Sequence, residues 1–389
     1  MKSTPNLDKA RSSEGCLLYA TAKRGDLHVK NRSEVYFHEP LDYNLMALLC
    51  FISGGYRMTT HASSGASSDS SSDPKCSSSG CVVVAAHAPK ILDGKSLSKA
   101  VGRTLARRVH NLAQRVGRAP GLAVILVGDN PASKTYVAAK HRFAKECGVS
   151  TFDAHVPATI TAVELKDLIE KYNKDPQVDG ILLQLPLPAP LDGAEFVRLI
   201  APEKDADGLH PYNQGMLLQG GAAPRPCTPL GVMTMLDLAL SSVELREETT
   251  LEEIPKASLV GKSAVVIGRS QLVGKPMGFL LLERNATVTF AHSKTKDLPA
   301  VCSAADIVVA AVGVPRLVKR DWVKSGAIVL DVGINRLPDG KLVGDVDYDD
   351  VLPNASAITP VPGGVGPMTV AMLISNTVEN CARSHGVDL

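Results

Sequence analysis

The sequence predicts an α/β protein of two lobes that follows a disordered N-terminal segment. Short continuous apolar runs such as Gly121–Val127 alternate with amphipathic stretches, and the same alternation occurs a second time further along the chain. This pattern is typical of parallel strands that are covered by helices on both faces. Residues 1–88 lack it, and ten of the eighteen residues from Ser63 to Gly80 are serine. Because such a tract cannot offset the entropy lost on ordering, we expect residues 1–88 to be a disordered or targeting extension.

Composition narrows the range of functions. The chain has 389 residues, a formal net charge of +2 and 4% aromatic residues. The length predicts two or three domains. The near-neutral charge offers no electrostatic footprint for nucleic acid or an anionic membrane, and the apolar run Leu45–Ile52 is too short to span a bilayer. We therefore expect a soluble protein without nucleic-acid or membrane partners.

The cysteines predict reduced thiols rather than a metal centre. Eight are present, and no two of them form a C-x-x-C pair. Scattered cysteines without such spacing are typical of an intracellular protein, and a zinc site or a disulfide framework is the less favoured alternative. The cysteines are Cys16, Cys50, Cys76, Cys81, Cys147, Cys227, Cys302 and Cys381.

The compartment that the sequence predicts is the cytoplasm. A transit peptide is poor in acidic residues, yet Asp8, Glu14 and Asp26 precede the serine tract. A mitochondrial or plastid transit peptide is the alternative, and Met58 is a second candidate for the start of the protein.

The first lobe is predicted to cover residues 89–227 and to be completed by a helix over residues 366–385. Strands and helices alternate in it, which predicts a parallel sheet. Its predicted elements are a helix Leu97–Val116, the strand Gly121–Val127, a helix opened by Pro131 and Ser133, a helix Thr161–Asn173 and the strand Val178–Gln184.

The second lobe is predicted to cover residues 228–365. A glutamate-rich stretch, Ser241–Ala257, is predicted to be an insertion that forms a surface loop before the first strand of this lobe. The predicted elements are the strand Ser263–Gly268, a helix Pro276–Arg284 and the strands Thr287–Ala291, Ile307–Ala311 and Ile328–Asp331.

Tyr136 and Lys140 are four residues apart in a predicted helix, so both side chains lie on one helical face, one turn apart. On spacing alone, an exposed surface pair is the commoner explanation. The pair precedes the glycine-rich turn Gly268–Gly274, whereas short-chain dehydrogenases carry such a turn before their Tyr-x-x-x-Lys pair. We therefore expect the pair to lie in a separate lobe that binds the substrate.

The turn Gly268–Gly274 follows an apolar strand and precedes a helix, as a dinucleotide-binding turn requires, although a turn without a ligand has the same spacing. NAD sites usually place a carboxylate at the end of the next strand. Here that strand ends in Ala291–Lys294, which contains none. Arg269, Ser293 and Lys294 suit a ribose phosphate instead, so NADP is favoured over NAD.

Three further segments carry candidate site residues. Gln184 lies at the end of a predicted buried strand, where open α/β sheets bind ligands. Asp207 lies in the loop Lys204–Gly208, where capping of the loop is its commoner role. The glycine-rich loop Pro360–Thr369 lets bare backbone approach a flat ring closely.

Together these segments resemble the bifunctional methylenetetrahydrofolate dehydrogenase/methenyltetrahydrofolate cyclohydrolase family, the FolD type. The resemblance extends from about Ile91 to Val378. The motifs that carry it occur in family order and are Tyr-x-x-x-Lys, Gln-Leu-Pro-Leu-Pro, Lys-Asp-x-Asp-Gly, Gly-Arg-Ser-x-x-Val-Gly-x-Pro and Pro-Gly-Gly-Val-Gly-Pro-Met-Thr.

The resemblance implies a folate-binding α/β lobe and a Rossmann-type NADP-binding lobe with the catalytic cleft between them, and a homodimer formed through the cofactor lobes. It implies a catalytic site made of Tyr136, Lys140, Gln184 and Asp207. The further folate contacts that it implies are Leu183, Leu185, Pro362, Gly363 and Gly364. The NADP contacts that it implies are Gly268, Arg269, Ser270, Gly274, Ser293 and Ile334.

The implied chemistry assigns a proton-transfer role to Lys140. Hydride removal from a methylene between two nitrogens needs positioning more than an acid or base, whereas hydrolysis of the resulting cation needs a titratable group nearby. We expect burial and the cationic substrate to lower the pKa of Lys140, Gln184 to bind it, and Tyr136 to stack on the substrate.

Two alternatives stay open at this point. One is a dehydrogenase of the same substrate without efficient cyclohydrolase activity, and the other is a non-catalytic NADP-binding protein. Shikimate-type or amino-acid dehydrogenases would need a Lys-Asp pair in place of Tyr136 and Gln184. Formate ligation would need a further ATP-binding domain, and the sequence has no G-x-x-x-x-G-K-[ST] motif.

Overall fold

The computed structural model describes residues 88–389 and, before them, the backbone of three short strands. These are β1 (His28–Asn31), β2 (Glu34–Tyr36) and β3 (Val82–Val84), which form an antiparallel sheet in the order β1-β2-β3. The serine tract Ser63–Gly80, for which the sequence predicts disorder, lies outside the described residues. Residues 89–389 form a separate compact unit.

A three-stranded parallel sheet forms the first part of this unit, in the order β6-β5-β7. Strand β5 is buried at all seven positions, as its continuous apolar run predicts, because helices cover both faces. The strands are β5 (Gly121–Val127), β6 (Ser150–Val156) and β7 (Gly180–Leu183). The long helices are α1 (Gly94–Val116), α2 (Pro131–Cys147) and α3 (Ala162–Lys174).

A six-stranded parallel sheet forms the second part, in the order β4-β14-β11-β10-β8-β9. The chain changes direction across the sheet between β8 and β10, and open α/β sheets bind ligands at the carboxyl ends of strands at such a point. The strands are β4 (Lys90–Ile91), β8 (Ser263–Ile267), β9 (Thr287–Ala291), β10 (Ile307–Ala310), β11 (Ala327–Asp331) and β14 (Ala355–Ile358).

The remaining elements connect and cover the two sheets. Strands β12 (Asn335–Arg336) and β13 (Leu342–Val343) form an antiparallel hairpin. The helices are α4 (Gly193–Val197), α5 (Pro211–Leu218), α6 (Cys227–Leu240), α7 (Gly274–Glu283), α8 (Leu298–Ser303), α9 (Tyr348–Val351) and α10 (Val365–Ser384).

Helix α10 returns to the first part of the chain, as the sequence predicts. It packs against α6, α1 and α2. Its Leu373 belongs to one buried cluster that also contains Leu97 of α1 and Val266 of β8. One apolar core therefore joins the two sheets, and separate clusters cover their outer faces.

Helix boundaries differ from the sequence expectation where a cap decides them. Helix α3 begins at Ala162 because Thr161 and Glu164 form a capping box. Helix α1 begins three residues before the predicted start, at Gly94, because the Asp93 carboxylate accepts from the Lys95 N–H. Strand β7 is shorter than the predicted Val178–Gln184.

The insertion Ser241–Ala257 contains no α-helix or strand, but it is docked rather than free. Its Glu252 carboxylate accepts from Thr104 Oγ1 at 2.6 Å and from Arg107 at 2.8 Å, both on α1. Arg103 of α1 donates to the carbonyl of Thr249 at 2.8 Å. Glu252 of the insertion therefore pairs with polar and basic residues of α1.

Across residues 88–389, where helices are described, none is both long and apolar enough to cross a bilayer.

Candidate active site

Helix α2 presents Tyr136 and Lys140 to one cavity, as their spacing predicts. The two side chains differ sharply in environment: Tyr136 is 41% exposed and Lys140 only 7%. The pair is therefore not an exposed surface pair. The aromatic ring of Tyr136 is open to solvent, whereas the ammonium group of Lys140, one helical turn further along, is buried.

The buried ammonium of Lys140 donates to Gln184 Oε1 at 2.9 Å. Gln184 is held in place by its own N–H, which donates to the Ile125 carbonyl at 2.9 Å, and by its Nε2, which donates to the Leu185 carbonyl at 2.7 Å. Burial lowers the pKa of Lys140 from its usual 10.5, and the negative charge of Asp207 opposes that shift.

Two aspartates follow one another closely in the loop after β7, and they have different roles. Asp205 is 1% exposed and caps the loop, since its carboxylate accepts from the N–H groups of Gly208 and His210 at 3.1 and 2.7 Å and from Asn213 Nδ2 at 2.9 Å. Capping, which is the commoner role for Asp207 on its loop position alone, is thus performed by Asp205. The Asp207 carboxylate instead acts on Lys140.

Cys227, at the start of α6, lies beside the same groups. It is 2% exposed, and its thiol donates to the Ala206 carbonyl at 3.2 Å. Burial, followed by the charge of Asp207, raises its pKa, so the thiol stays protonated. The four described cysteines, which include Cys227, are all free and buried.

A cavity of about 430 Å³ opens at Lys140 and Gln184. Tyr136, Ser133 and Leu185 form part of its wall, and so do Thr228 and Thr369, whose hydroxyls lie 3.0 Å apart. Val332 and Ile334, in the segment that follows β11 of the six-stranded sheet, close the other side. Residues from both sheets therefore meet at this cavity.

A second cavity of about 580 Å³ adjoins the first and shares Tyr136 and Ile334 with it. Its floor is the loop Pro360–Pro367, including Pro362, Gly363 and Gly364. At Gly94 a side chain would lie 1.7 Å from the Gly364 carbonyl, so α1 and this loop approach as closely as backbone allows.

The turn Gly268–Gly274 lies at the carboxyl end of β8. Gly268 has φ +138°, and a side chain there would lie 2.3 Å from the Ala311 carbonyl at the end of β10. A side chain at Gly274 would lie 2.4 Å from the Gly268 carbonyl. Only glycine fits either position, because the backbone of the turn packs directly against itself and against the residue after β10.

The polar residues around this turn are exposed. Ser270 Oγ accepts from the N–H groups of Val273 and Gly274 at 3.1 and 3.3 Å, so it shapes the turn itself. Arg269, Ser293 and Lys294 are exposed at the ends of β8 and β9. The ends of these strands are joined by the Gly268 N–H, which donates to the Ala291 carbonyl at 2.8 Å.

Not every predicted site residue reaches a cavity. Leu183 is 3% exposed and packs in the core on the outer face of the three-stranded sheet, whereas Leu185 lines the smaller cavity. Folate contact by Leu183 stays a prediction. Gly268, Arg269, Ser270, Gly274 and Ser293 form the region around the turn, while Ile334 lies where the two cavities meet.

Some residues of the site escaped the sequence analysis. Cys227, Thr228 and Asp331 come from segments far apart in the chain, and no spacing rule links them. The proline before Cys227 and the string Cys-Thr-Pro gave the only local signal of a helix start there.

A cluster of one aspartate, one cysteine and one histidine lies away from this site. Asp179, Cys381 and His385 have ligand atoms within 4.8 Å of one another. However, the Asp179 carboxylate already binds the Arg118 guanidinium through two bonds of 2.7 and 2.8 Å. The positive charge of Arg118 opposes a metal cation at this position.

The fold and the site define a class: a two-lobed α/β protein with a dinucleotide-type turn in one lobe and a buried lysine site in the other. Two family profiles match the chain. Residues 92–207 match the tetrahydrofolate dehydrogenase/cyclohydrolase catalytic domain, and residues 226–385 match the NAD(P)-binding domain of the same family. The chain belongs to the tetrahydrofolate dehydrogenase/cyclohydrolase family.

Curated relatives extend this result over most of the chain. A bifunctional protein FolD from Geotalea daltonii is 49% identical over 294 residues, which cover 76% of this chain and 99% of that protein. One from Brucella ovis is 50% identical over 307 residues, which cover 77% of this chain and 98% of that protein.

Solved structures have the same fold. The bifunctional FolD enzyme from Campylobacter jejuni is 46% identical and superimposes with a TM-score of 0.70 over 76% of this chain and 100% of that chain. The FolD enzyme from Trypanosoma brucei, solved with NADP and an inhibitor, is 38% identical with a TM-score of 0.69 over 76% of this chain and 98% of that chain.

Proposed function

We propose that this protein is a bifunctional one-carbon enzyme. It oxidises methylenetetrahydrofolate to methenyltetrahydrofolate with NADP, and then hydrolyses the product to formyltetrahydrofolate. The observation that carries this proposal is the buried Lys140, bound to Gln184 in a cavity whose opposite wall comes from the cofactor sheet. The family membership supports the same conclusion.

The oxidation needs positioning more than proton transfer. Removing a hydride from a methylene between two nitrogens leaves a cation spread over both nitrogens, and no proton has to leave. NADP supplies the hydride acceptor when bound. The exposed ring of Tyr136 is placed to stack on the flat folate ring, while Pro362–Gly364 and Ile334 fix its approach from the other lobe.

The residues around the cofactor turn fit NADP. Gly268 and Gly274 allow the tight turn that a dinucleotide site requires, Ser270 lies within this turn, and Ser293 lies just beyond the end of β9. The end of β9 offers Ser293 and Lys294 instead of a carboxylate, so a ribose phosphate meets no negative charge there. Arg269 adds a charge-assisted partner for the phosphate.

The hydrolysis needs a group that can move a proton beside the one-carbon unit, and Lys140 is that group. Its lowered pKa lets a fraction of the amine accept a proton from the attacking water. Gln184 fixes its position. Asp207 acts on Lys140 through its negative charge, and its carboxylate can accept two parallel bonds from the amino-pyrimidinone edge of the pterin.

Two absorbance assays on the purified protein test this function. One follows the product of methylenetetrahydrofolate and NADP, and the other follows the loss of added methenyltetrahydrofolate without any nucleotide. We expect activity in both, and NADP to be used in preference to NAD. Oxidation without hydrolysis would instead support a dehydrogenase alone, and inactivity in both assays would support a non-catalytic NADP-binding protein.

We also propose that the enzyme is a homodimer formed through the cofactor lobes. Strand β9 is an edge of the six-stranded sheet, and Phe290 on it is 42% exposed; Leu282 on α7, the helix that packs against β9, is 58% exposed. An apolar sheet edge is a surface that a second copy can cover. Sedimentation of the wild type and Phe290→Glu tests this, and a monomeric wild type would contradict it.

For the compartment, we propose the cytoplasm, because Asp8, Glu14 and Asp26 are atypical of a transit peptide. Cell fractionation with N-terminal sequencing of the mature protein tests this location, and an organellar form lacking the serine tract would contradict it.

A further inference from the structure

Two buried carboxylates at the carboxyl edge of the six-stranded sheet have no part in the proposed reaction. Asp331 is the last residue of β11 and is 3% exposed, and Asp345 follows β13 and is 0% exposed. Buried carboxylates usually have a cationic partner. Both of these are instead bound by neutral N–H groups.

Asp331 binds three backbone N–H groups from two segments. Its Oδ1 accepts from Gly333 at 2.9 Å and from Asp345 at 3.0 Å, and its Oδ2 accepts from Val346 at 2.9 Å. A side chain at Gly344 would lie 1.8 Å from Oδ2. The backbone is thus wrapped around this carboxylate as closely as glycine permits.

Asp345 makes the complementary connection. Its Oδ2 accepts from the N–H groups of Val312 and Gly313 at 2.7 and 2.9 Å, just beyond the end of β10. Its Oδ1 accepts from Asn335 Nδ2 at 2.9 Å, at the start of the β12–β13 hairpin. The two carboxylates therefore fasten the ends of β10 and β11 to the segment that follows β13.

The segment fastened in this way is Val332–Ile334, which lines the large cavity, and its Val332 and Ile334 also line the small one. We propose that Asp331 and Asp345 are positioning residues that hold Val332–Ile334 against the nicotinamide end of the cofactor. This inference rests on the proposed function, because it takes Ile334 as a cofactor contact. Neither carboxylate needs to touch a reacting atom.

The charge state of Asp331 adds a measurable signature. Burial is the largest cause that raises its pKa to about 7, the three N–H bonds oppose the shift, and the charge of Asp345 adds to it. The charged residues that line the same cavity from α1 and α2 are Lys95, Lys99, Arg142 and Glu146. Protonation weakens the bonds that Asp331 accepts, so NADP binding should weaken as the pH falls through about 7.

Asp331→Asn is the direct test. The amide of the variant keeps one acceptor oxygen. Its NH₂ group instead faces a backbone N–H, and because the backbone there cannot rotate away, one hydrogen bond is lost and two donors face each other. We expect the Kd for NADP, measured by calorimetry at pH 8, to rise about tenfold. Hydrolysis of added methenyltetrahydrofolate, which uses no NADP, should fall by a smaller factor than NADP binding does, because Ile334 also lines the cavity of Lys140.

Asp345→Asn is the matched control, because it removes a negative charge next to Asp331 but can keep the hydrogen bonds that Asp345 makes. Its remaining oxygen keeps both backbone bonds, and the Asn335 amide can rotate to accept from the new NH₂ group. We therefore expect the Kd for NADP at pH 8 to rise by a smaller factor than in Asp331→Asn. Because the negative neighbour of Asp331 is gone, the pH at which NADP binding weakens should move below that of wild type.

NADP binding and folate turnover by the wild type show whether the proposed function or only the positioning role of Asp331 is wrong. If the wild type neither binds NADP nor turns over folate, the proposed function fails and the inference fails with it. If it is active but Asp331→Asn binds NADP normally, or loses both activities in equal proportion, the positioning role alone is wrong. Should Asp331→Asn not fold, the absence of a pH shift in Asp345→Asn would overturn the inference, and its presence would support it.

Discussion

The two lobes place their positive charges in opposite ways. In the first lobe Lys140 is 7% exposed and donates to an uncharged side chain, which lowers its pKa. In the second lobe Arg269 and Lys294 are exposed beside the glycine turn. A buried amine with a lowered pKa gives up its proton more readily, whereas an exposed guanidinium keeps its charge and binds anions. We therefore propose that the first lobe carries out the chemistry and the second recognises the cofactor.

Replacing Lys140 should break this division most severely. Lys140→Met should lower cyclohydrolase activity by about three orders of magnitude, as expected for losing a general base, and leave measurable dehydrogenase activity. Two absorbance assays on one preparation measure both activities. Lys134→Met is the matched control, since Lys134 lies on the same helix with its side chain 50% exposed and paired with Asp129. Equal loss of both activities in folded Lys140→Met would contradict the division.

Asp331 extends the comparison, because the second lobe also contains a buried ionisable group. A carboxylate whose pKa is raised to about 7 in the folded state stabilises that state below its unfolded pKa, and this stability is lost as the pH rises to about 7. The unfolding free energy of wild type relative to Asp331→Asn should thus fall between pH 4 and 7, by up to about 4 kcal/mol. Urea unfolding at several pH values measures it, and a difference independent of pH would be contrary to the expectation.

Removing Arg269 should affect recognition alone. Arg269→Ala should raise KM for NADP by one to two orders of magnitude, since charge-assisted bonds contribute about 1.5–3 kcal/mol, and should leave hydrolysis of added methenyltetrahydrofolate unchanged. Arg320→Ala is the control: Arg320 is exposed on the same lobe, and its carbonyl accepts from Asn354, the residue before β14. If the parent enzyme used NAD and NADP equally, the role of Arg269 would be wrong.

The smallest effect is expected at the insertion. Glu252→Gln removes the charge that pairs with Arg107 at 2.8 Å on an exposed surface. Such pairs contribute about 0.2–1 kcal/mol, so Tm should fall by only a few degrees, and KM and kcat of both activities should not change. Calorimetry and the two assays measure this. Any kinetic effect would place the insertion closer to the site than its contacts with α1 indicate.

The sequence predicts local features well. Strand β5 agrees with its apolar run at both ends, and the four-residue spacing places Tyr136 and Lys140 on one helical face. The order of motifs also predicts that Gln184 meets Lys140, through the resemblance rather than through spacing. Helix ends were missed where Asp93 and Thr161 supply caps, because a cap depends on which side chain turns back to the backbone.

Contacts between distant segments could not be predicted. The two-residue strand Lys90–Ile91 joins the six-stranded sheet, and two residues carry no periodicity. The sequence does not distinguish Asp205, which caps its loop, from Asp207, which faces Lys140. Likewise, Asp331 and Asp345 are separated by a hairpin, and only the folded chain shows that the Asp345 N–H donates to the Asp331 carboxylate.

The central claim is that Lys140 titrates within reach of the substrate at a pKa below its usual value. NMR of protein labelled with ¹³C at the lysine ε-carbons measures this directly, with the Lys140 signal assigned by its absence in Lys140→Met. We expect that signal to titrate clearly below 10.5 and to shift when methenyltetrahydrofolate binds. A Lys140 that titrates at 10.5 or above, and does not respond to the folate, would contradict the account.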